Sequence, residues 1–251
     1  MSKGRSIIFA ANWKMNMDAN SADDFLTRIK LVAESTTAKV LVFPPSIYLR
    51  QLAEDAHGSR VGIGAQNMFW EKQGAYTGEI SPQMIVDAGA KYVICGHSER
   101  RHIFNESAEM VTRKAKAAQA YNLVPVICVG ETLEEREAGE TLEILHQDVY
   151  SSLSAVDADE EIVIAYEPVW AIGTGQVATS DDAEQAISYI REQVRELWGN
   201  RADEISILYG GSVNEGNIAE LMSSPEIDGA LVGGASLNPD SFAAIIKNGL
   251  I

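Results

Sequence analysis

The chain has 251 residues, with 20 lysines and arginines against 36 aspartates and glutamates, a net charge of −16. That balance argues against nucleic acid, which needs a basic face, and at first view against an anionic small molecule too. With 46% hydrophobic and 22% charged residues the composition is that of an ordinary globular protein; it has no apolar run of about 18 residues to span a membrane and no apolar stretch near the N-terminus to serve as a signal peptide.

Short β-branched runs recur along the chain: Ser6–Ala11, Lys39–Phe43, Arg60–Ala65, Tyr92–Gly96, Leu123–Val129, Ile162–Tyr166, Ile205–Tyr209 and Gly229–Gly233. Each is nearly continuous in apolar residues, as strands buried on both faces require. Between them lie segments of helical period. Phe25, Ile29 and Val32 recur in the first, and Ala186, Ile190, Val194 and Leu197 in a later one. Ser46 and the run Ser180-Asp181-Asp182 read as helix starts, and Asn238-Pro239-Asp240 opens a last helix that Gly249 closes. The densest charge run, Glu131–Glu140, reads as an exposed helix start. Cys95 and Cys128 sit in apolar runs and read as buried thiols, which suits a reducing, cytoplasmic setting. Eight strand–helix repeats without a linker predict one α/β domain over residues 1–251, a closed (β/α)8 barrel. An open doubly wound sheet has the same periodicity, although no G-x-G-x-x-G follows the first strand.

In a barrel the chemistry sits just beyond the strand ends. Asn12-Trp13-Lys14-Met15-Asn16 follows the first strand and offers a lysine and two amides, either convergent or merely solvated. After the third strand, Met68, Phe69 and Trp70 form an apolar knot in the loop Met68–Glu79; a partner surface would cover it, unless it packs on its own domain. After the fourth, His97 begins a helix, whose N-terminal partial charge favours a neutral imidazole; a capping histidine beside a Glu99–Arg100 pair is the alternative. After the sixth, Glu167 ends an apolar strand, where burial would raise its pKa and strengthen it as a base. The apolar, glycine-containing segment behind it reads as a lid or an interface loop. Gly210-Gly211 and Gly233-Gly234 follow the last two strands, the usual place for a barrel to bind phosphate through backbone N–H groups.

Together these pieces resemble the triosephosphate isomerase family, from Phe9 to the C-terminus. The resemblance rests on Asn12-Trp13-Lys14, on Gly96-His97-Ser98-Glu99-Arg100-Arg101, on Tyr166-Glu167-Pro168-Val169-Trp170-Ala171-Ile172-Gly173-Thr174-Gly175, on Tyr209-Gly210-Gly211-Ser212-Val213 and on Gly229 through Leu237. It implies a glycolytic and gluconeogenic isomerase of dihydroxyacetone phosphate and glyceraldehyde 3-phosphate, working through an enediolate with no metal and no cofactor. By the same resemblance Glu167 is the base, His97 the neutral electrophile, Lys14 the cation that offsets substrate charge, Asn12 a polar donor and Glu99 a second acid of the cluster. Asn12, Lys14, Gly173, Ser212, Gly233 and Gly234 would hold the small phosphorylated triose. Pro168, Val169, Trp170, Ala171, Ile172, Gly173, Thr174, Gly175, Gln176, Val177 and Ala178 match a closing lid, with Tyr209 and Ser212 holding it shut. The loop Met68–Glu79, with Thr77, matches the arm that makes a homodimer; neither nucleic acid nor membrane is implied as a partner.

Departures from the family pattern fall at Gln176-Val177-Ala178, at Ser180, at Asn105 and at Asn214-Glu215, none of them a catalytic position. Two rival readings remain open at this point. One is a Schiff-base aldolase built on Lys14; the other is a binding protein that has kept the barrel. The net charge is no obstacle to an anionic substrate, because charge is screened beyond about 8–10 Å and a site needs only a local positive field.

Overall fold

The computed structural model describes residues 4–172 and 178–250. Its strands are β1 (Ile8–Asn12), β2 (Lys39–Phe43), β3 (Val61–Ala65), β4 (Tyr92–Cys95), β5 (Val124–Val129), β6 (Val163–Tyr166), β7 (Ser206–Tyr209) and β8 (Gly229–Val232). The helices are α1 (Ala19–Glu34), α2 (Leu49–Ala56), α3 (Pro82–Asp87), α4 (Ser98–His102), α5 (Ala108–Ala120), α6 (Leu133–Glu137), α7 (Thr141–Leu153), α8 (Ser180–Trp198), α9 (Ile218–Leu221) and α10 (Pro239–Asn248). The strands form a closed parallel barrel in sequence order, and β1 completes it by pairing with β8 from Ile8↔Gly229 to Ala11↔Val232. The open-sheet alternative is thereby excluded. Strand bounds shift from the sequence reading by one or two residues, mostly at the N-terminal ends, while β1 runs on to Asn12.

Continuous apolar strands are explained by two cores. Ile8, Ala10, Leu41, Phe43, Ile94 and Leu208 fill the barrel, while Phe9, Ala11, Val40 and Val42 face the helices. Helix faces follow the predicted period: Phe25 and Ile29 of α1, and Ala186, Ile190 and Val194 of α8, are buried. Burying one such side chain contributes roughly 1.5–3 kcal/mol. Cys95 and Cys128 are buried and unpaired, and burial pushes the Cys95 thiol up to about 12.

Two predicted helix starts move. Ser46 lies inside a 3-10 turn, Ser46–Tyr48, rather than capping α2. Thr179, not Ser180, caps α8: its hydroxyl accepts the Asp182 N–H at 3.1 Å while the Asp182 carboxylate accepts the Thr179 N–H at 3.1 Å. Asn238 caps α10 as predicted, accepting from Asp240 and Ser241 N–H. Asn105, where the family often has glycine, takes φ +55°, a left-handed conformation that asparagine tolerates better than most residues. No helix among the described residues is long and apolar enough to cross a membrane.

One buried charge cluster braces the loop between β4 and α5. Glu106 pairs with Lys114, whose Nζ also donates to Asn67 Oδ1 at 2.7 Å. Glu106 further accepts from Arg100 Nε at 2.7 Å and from the Gly96 N–H at 3.2 Å. Burial alone would raise the Glu106 carboxyl, but Lys114 and Arg100 outweigh it and hold the group below the usual carboxylate range. A lowered folded-state pKa stabilises fully above the unfolded value of about 4.3 and is lost as pH falls through the folded one. Urea midpoints measured from pH 7 to pH 3 should therefore drop steeply below about pH 4. Glu106→Gln should cost about 3–5 kcal/mol at neutral pH, by leaving Lys114 without a counter-charge, and should flatten that acid drop.

Candidate active site

The C-terminal mouth of the barrel holds a cavity of about 250 Å3. Asn12, Lys14, His97, Glu167, Ser212, Gly233 and Gly234 all line it, although the chain delivers them from five different strand ends. Glu99 does not line it but reaches it through Lys14, whose Nζ lies 2.8 Å from Glu99 Oε1. Gly173, Thr174, Gly175, Gln176 and Val177 lie outside the described residues.

Lys14 is placed by backbone geometry. Its φ is +52°, a value uncommon for a side chain with a Cβ and concentrated at functional sites. Three hydrogen bonds hold it there or beside it. Asn12 Oδ1 accepts the Lys14 N–H at 3.0 Å, and Gln66 Nε2 donates to Lys14 O at 2.9 Å and to Phe43 O at 2.8 Å. Gln66 is a residue that sequence reasoning passed over; its position directly beyond β3 was the available signal.

His97 and Glu167 face each other. His97 Nε2 stands 3.0 Å from Glu167 Oε1, and Glu167 Oε2 accepts the Ser98 N–H at 2.7 Å. His97 Nδ1 accepts the Glu99 N–H at 3.2 Å, so the imidazole proton belongs on Nε2, where it points to the carboxylate. Both side chains are buried. Glu167 differs from the sequence expectation of a raised pKa. Burial pushes its carboxyl up, but His97, the Ser98 N–H and Lys14 together bring it below the ordinary range. The expectation that His97 is lowered is likewise reversed in this arrangement. Burial disfavours the imidazolium, but Glu167 at contact distance outweighs burial and raises the group. Glu167 is the main cause of that elevation; with it turned toward a ligand, burial, the Lys14 charge and the Glu99 N–H would favour the neutral ring, against the Glu99 carboxylate alone.

Around this pair the backbone leaves room. Gly210 donates its N–H to Tyr166 O at 2.7 Å, and a Cβ on it would come within 3.0 Å of Glu167 Cγ. Gly233 and Gly234 lead into the 3-10 turn Gly234–Leu237, and both line the cavity. Ser212 Oγ donates to Ala171 O at 2.7 Å, joining the β7 loop to the segment after Glu167.

That segment is anchored by a residue misread from sequence. Glu131, within the run taken as an exposed helix start, is fully buried; Thr132 caps α6 after it. Its carboxylate accepts from Trp170 Nε1 at 2.9 Å and from the Tyr166 hydroxyl at 3.1 Å, and its carbonyl accepts the Val169 N–H at 3.0 Å. Arg136 covers the Trp170 ring at 4.3 Å. Of the predicted lid, Val169–Ala171 forms a 3-10 turn and Ala178 is buried. Tyr209 OH is buried with no hydrogen-bond partner among the described residues.

The apolar knot after β3 splits. Met68 is fully buried in this chain's own core, correcting its place in a partner-facing knot. Phe69 stacks on Trp70 at 4.0 Å and packs against Tyr76 at 4.4 Å, while residues Glu71 to Glu79 are exposed.

Comparison with known proteins agrees with this geometry. The profile of the family described as triosephosphate isomerase matches residues 7–249. A triosephosphate isomerase of Moorella thermoacetica is 49% identical, over 97% of this chain and 98% of its own. That of Carboxydothermus hydrogenoformans is 48% identical over 98% of this chain and 100% of its own, and that of Rhodopirellula baltica 47% identical over 97% of each. Shared along nearly its whole length and folded into the barrel its strand ends required, the chain belongs to the triosephosphate isomerase family.

Proposed function

We propose that the chain interconverts dihydroxyacetone phosphate and glyceraldehyde 3-phosphate by proton transfer through an enediolate, in glycolysis and gluconeogenesis. The observation that carries this reading is the apposition of Glu167, His97 and Lys14 around one cavity. A C–H beside a carbonyl is a weak acid, so a carboxylate removes its proton only where donors stabilise the oxyanion that forms. Glu167 takes the proton from one carbon and returns it to the next. Both its oxygens are engaged, by His97 and the Ser98 N–H, so it must turn away from them to reach substrate. His97 Nε2–H is then free to donate to the carbonyl oxygen, with Nδ1 held as an acceptor by the Glu99 N–H. Lys14 supplies the positive field, Asn12 a donor beside it, and Glu99 fixes the Lys14 ammonium.

Ser212, Gly233, Gly234 and Gly173 would grip the phosphate through backbone N–H groups, a charge-sparing solution in a chain of net charge −16. Pro168 to Ala178 would close over the ligand and exclude water, sparing the enediolate from losing phosphate. A metal or cofactor has no step in this scheme. Incubation with dihydroxyacetone phosphate in D2O should place deuterium on the carbon next to the carbonyl, and unlabelled substrate would overturn the proton-transfer reading. The Schiff-base alternative is served poorly by a lysine whose Nζ is held on a carboxylate. Borohydride added with substrate should leave Lys14 unlabelled.

The exposed arm Glu71–Glu79 supports a homodimer, its tip meeting the partner near Asn12 and Lys14, and the buried free thiols of Cys95 and Cys128 suit a cytoplasmic enzyme. Thr77→Arg places a charge on that exposed arm without touching the Phe69–Trp70–Tyr76 packing. It should yield monomers in sedimentation equilibrium, and an unchanged dimer would contradict the interface.

A further inference from the structure

We propose that Asp148, on α7, acts with Arg101, on α4, as a positioning pair that sets the distance between His97 and Glu167. The paired strands of the barrel end just before these residues. The β4–β5 ladder ends at Cys95↔Ile127 and the β5–β6 ladder at Val129↔Tyr166, so His97 and Glu167 stand just past the last rungs. The Arg101 guanidinium supplies rungs of its own. Nε donates to Gly96 O at 2.9 Å, one residue before His97, and Nη2 donates to Cys128 O at 3.0 Å. One planar fork thus joins the ends of β4 and β5.

Asp148 completes the clamp. One carboxylate oxygen lies 3.4 Å from Arg101 Nη1, and the other accepts the Gly130 N–H at 3.2 Å. Gly130 presses on the backbone that carries the base: a Cβ there would sit 1.8 Å from Glu167 O. The Glu167 N–H in turn donates to Val129 O at 2.8 Å. Polar contacts therefore run from Gly96, through Arg101 and Asp148, to Gly130, whose chain neighbour Val129 accepts the Glu167 N–H. Neither Asp148 nor Arg101 lines the substrate cavity, so neither touches the reacting atoms. A charged residue is needed at 148 because Arg101, itself largely buried, has no other carboxylate within salt-bridge distance among the described residues.

The inference rests on the isomerase reading, and one readout is independent of it. Asp148→Asn keeps an acceptor for the Gly130 N–H but removes the charge facing Arg101; Asp148→Ala removes both. Misplacement of a reacting group by a fraction of an ångström should lower kcat by about 10-fold in the first variant and further in the second. KM should stay within about twofold, because the phosphate grip after β7 and β8 is remote from the clamp. The 15N resonances of the His97 ring should shift in both variants, whether or not the wild-type protein turns over substrate. Wild-type turnover tests the isomerase reading; the ratio of variant to wild type, and the His97 signal, test the clamp. An unmoved His97 signal overturns the proposal. So does kcat within about twofold of wild type in both variants, or a kcat loss matched by a loss of folded protein measured by circular dichroism.

Discussion

Glu167→Ala should lower kcat by about 10⁴-fold while the barrel remains folded, the upper end of what a positioned general base contributes. Among the described residues that line the cavity, Glu167 is the one carboxylate, and Gly210 places no side chain against its Cγ. Removal of the carboxylate abolishes proton abstraction but not the fold. His97, from which it accepts, lines the cavity, so water should replace the lost carboxylate there. Circular dichroism and a urea midpoint near the wild-type value establish that the fold is retained. Near-normal turnover in this variant would remove Glu167 from the role of base.

Lys14→Ala should lower kcat/KM by about 10²–10³-fold, as expected when one preorganised group at a developing oxyanion is lost. Part of the effect should appear in KM, because the same charge meets the substrate phosphate dianion against a chain of net charge −16. The backbone should tolerate the change: alanine carries the same Cβ that lysine already places at φ +52°, with Asn12 and Gln66 still holding the loop. Glu99 loses its partner and becomes an uncompensated acid beside the site, which adds to the loss. Because the field is local, wild-type kcat/KM should depend only weakly on salt between about 0.05 and 0.3 M. A steep dependence would show long-range attraction that this charge distribution does not provide.

The barrel was legible because β-branched runs buried on two faces repeat at one spacing, and no local conflict interrupts them. The cap of α8 was misassigned because Thr179, Ser180 and Asp181 all offer suitable groups; the reciprocal bond between Thr179 and Asp182 decides it only in three dimensions. At the site, position just beyond a strand end singled out Asn12, Lys14, His97, Glu167 and the two Gly-Gly pairs, all of which line one cavity, while Ser212 came only with the resemblance. Position was not enough for Glu131. That residue stands in the most highly charged stretch of the chain, and its burial comes from Tyr166 and Trp170, more than thirty residues away. The pKa expectation for Glu167 failed for a similar reason. Sequence revealed the apolar strand that desolvates it, but not the imidazole that β4 delivers 3.0 Å from its oxygen. Met68 was grouped with its aromatic neighbours by adjacency, and one turn of the loop sends it inward instead.

The most direct test of the account is a coupled assay for conversion of dihydroxyacetone phosphate to glyceraldehyde 3-phosphate, run on purified protein with EDTA present. The arrangement of Glu167, His97 and Lys14 predicts rapid turnover that EDTA leaves unchanged. Folded protein without isomerase turnover, or turnover that EDTA abolishes, would contradict it.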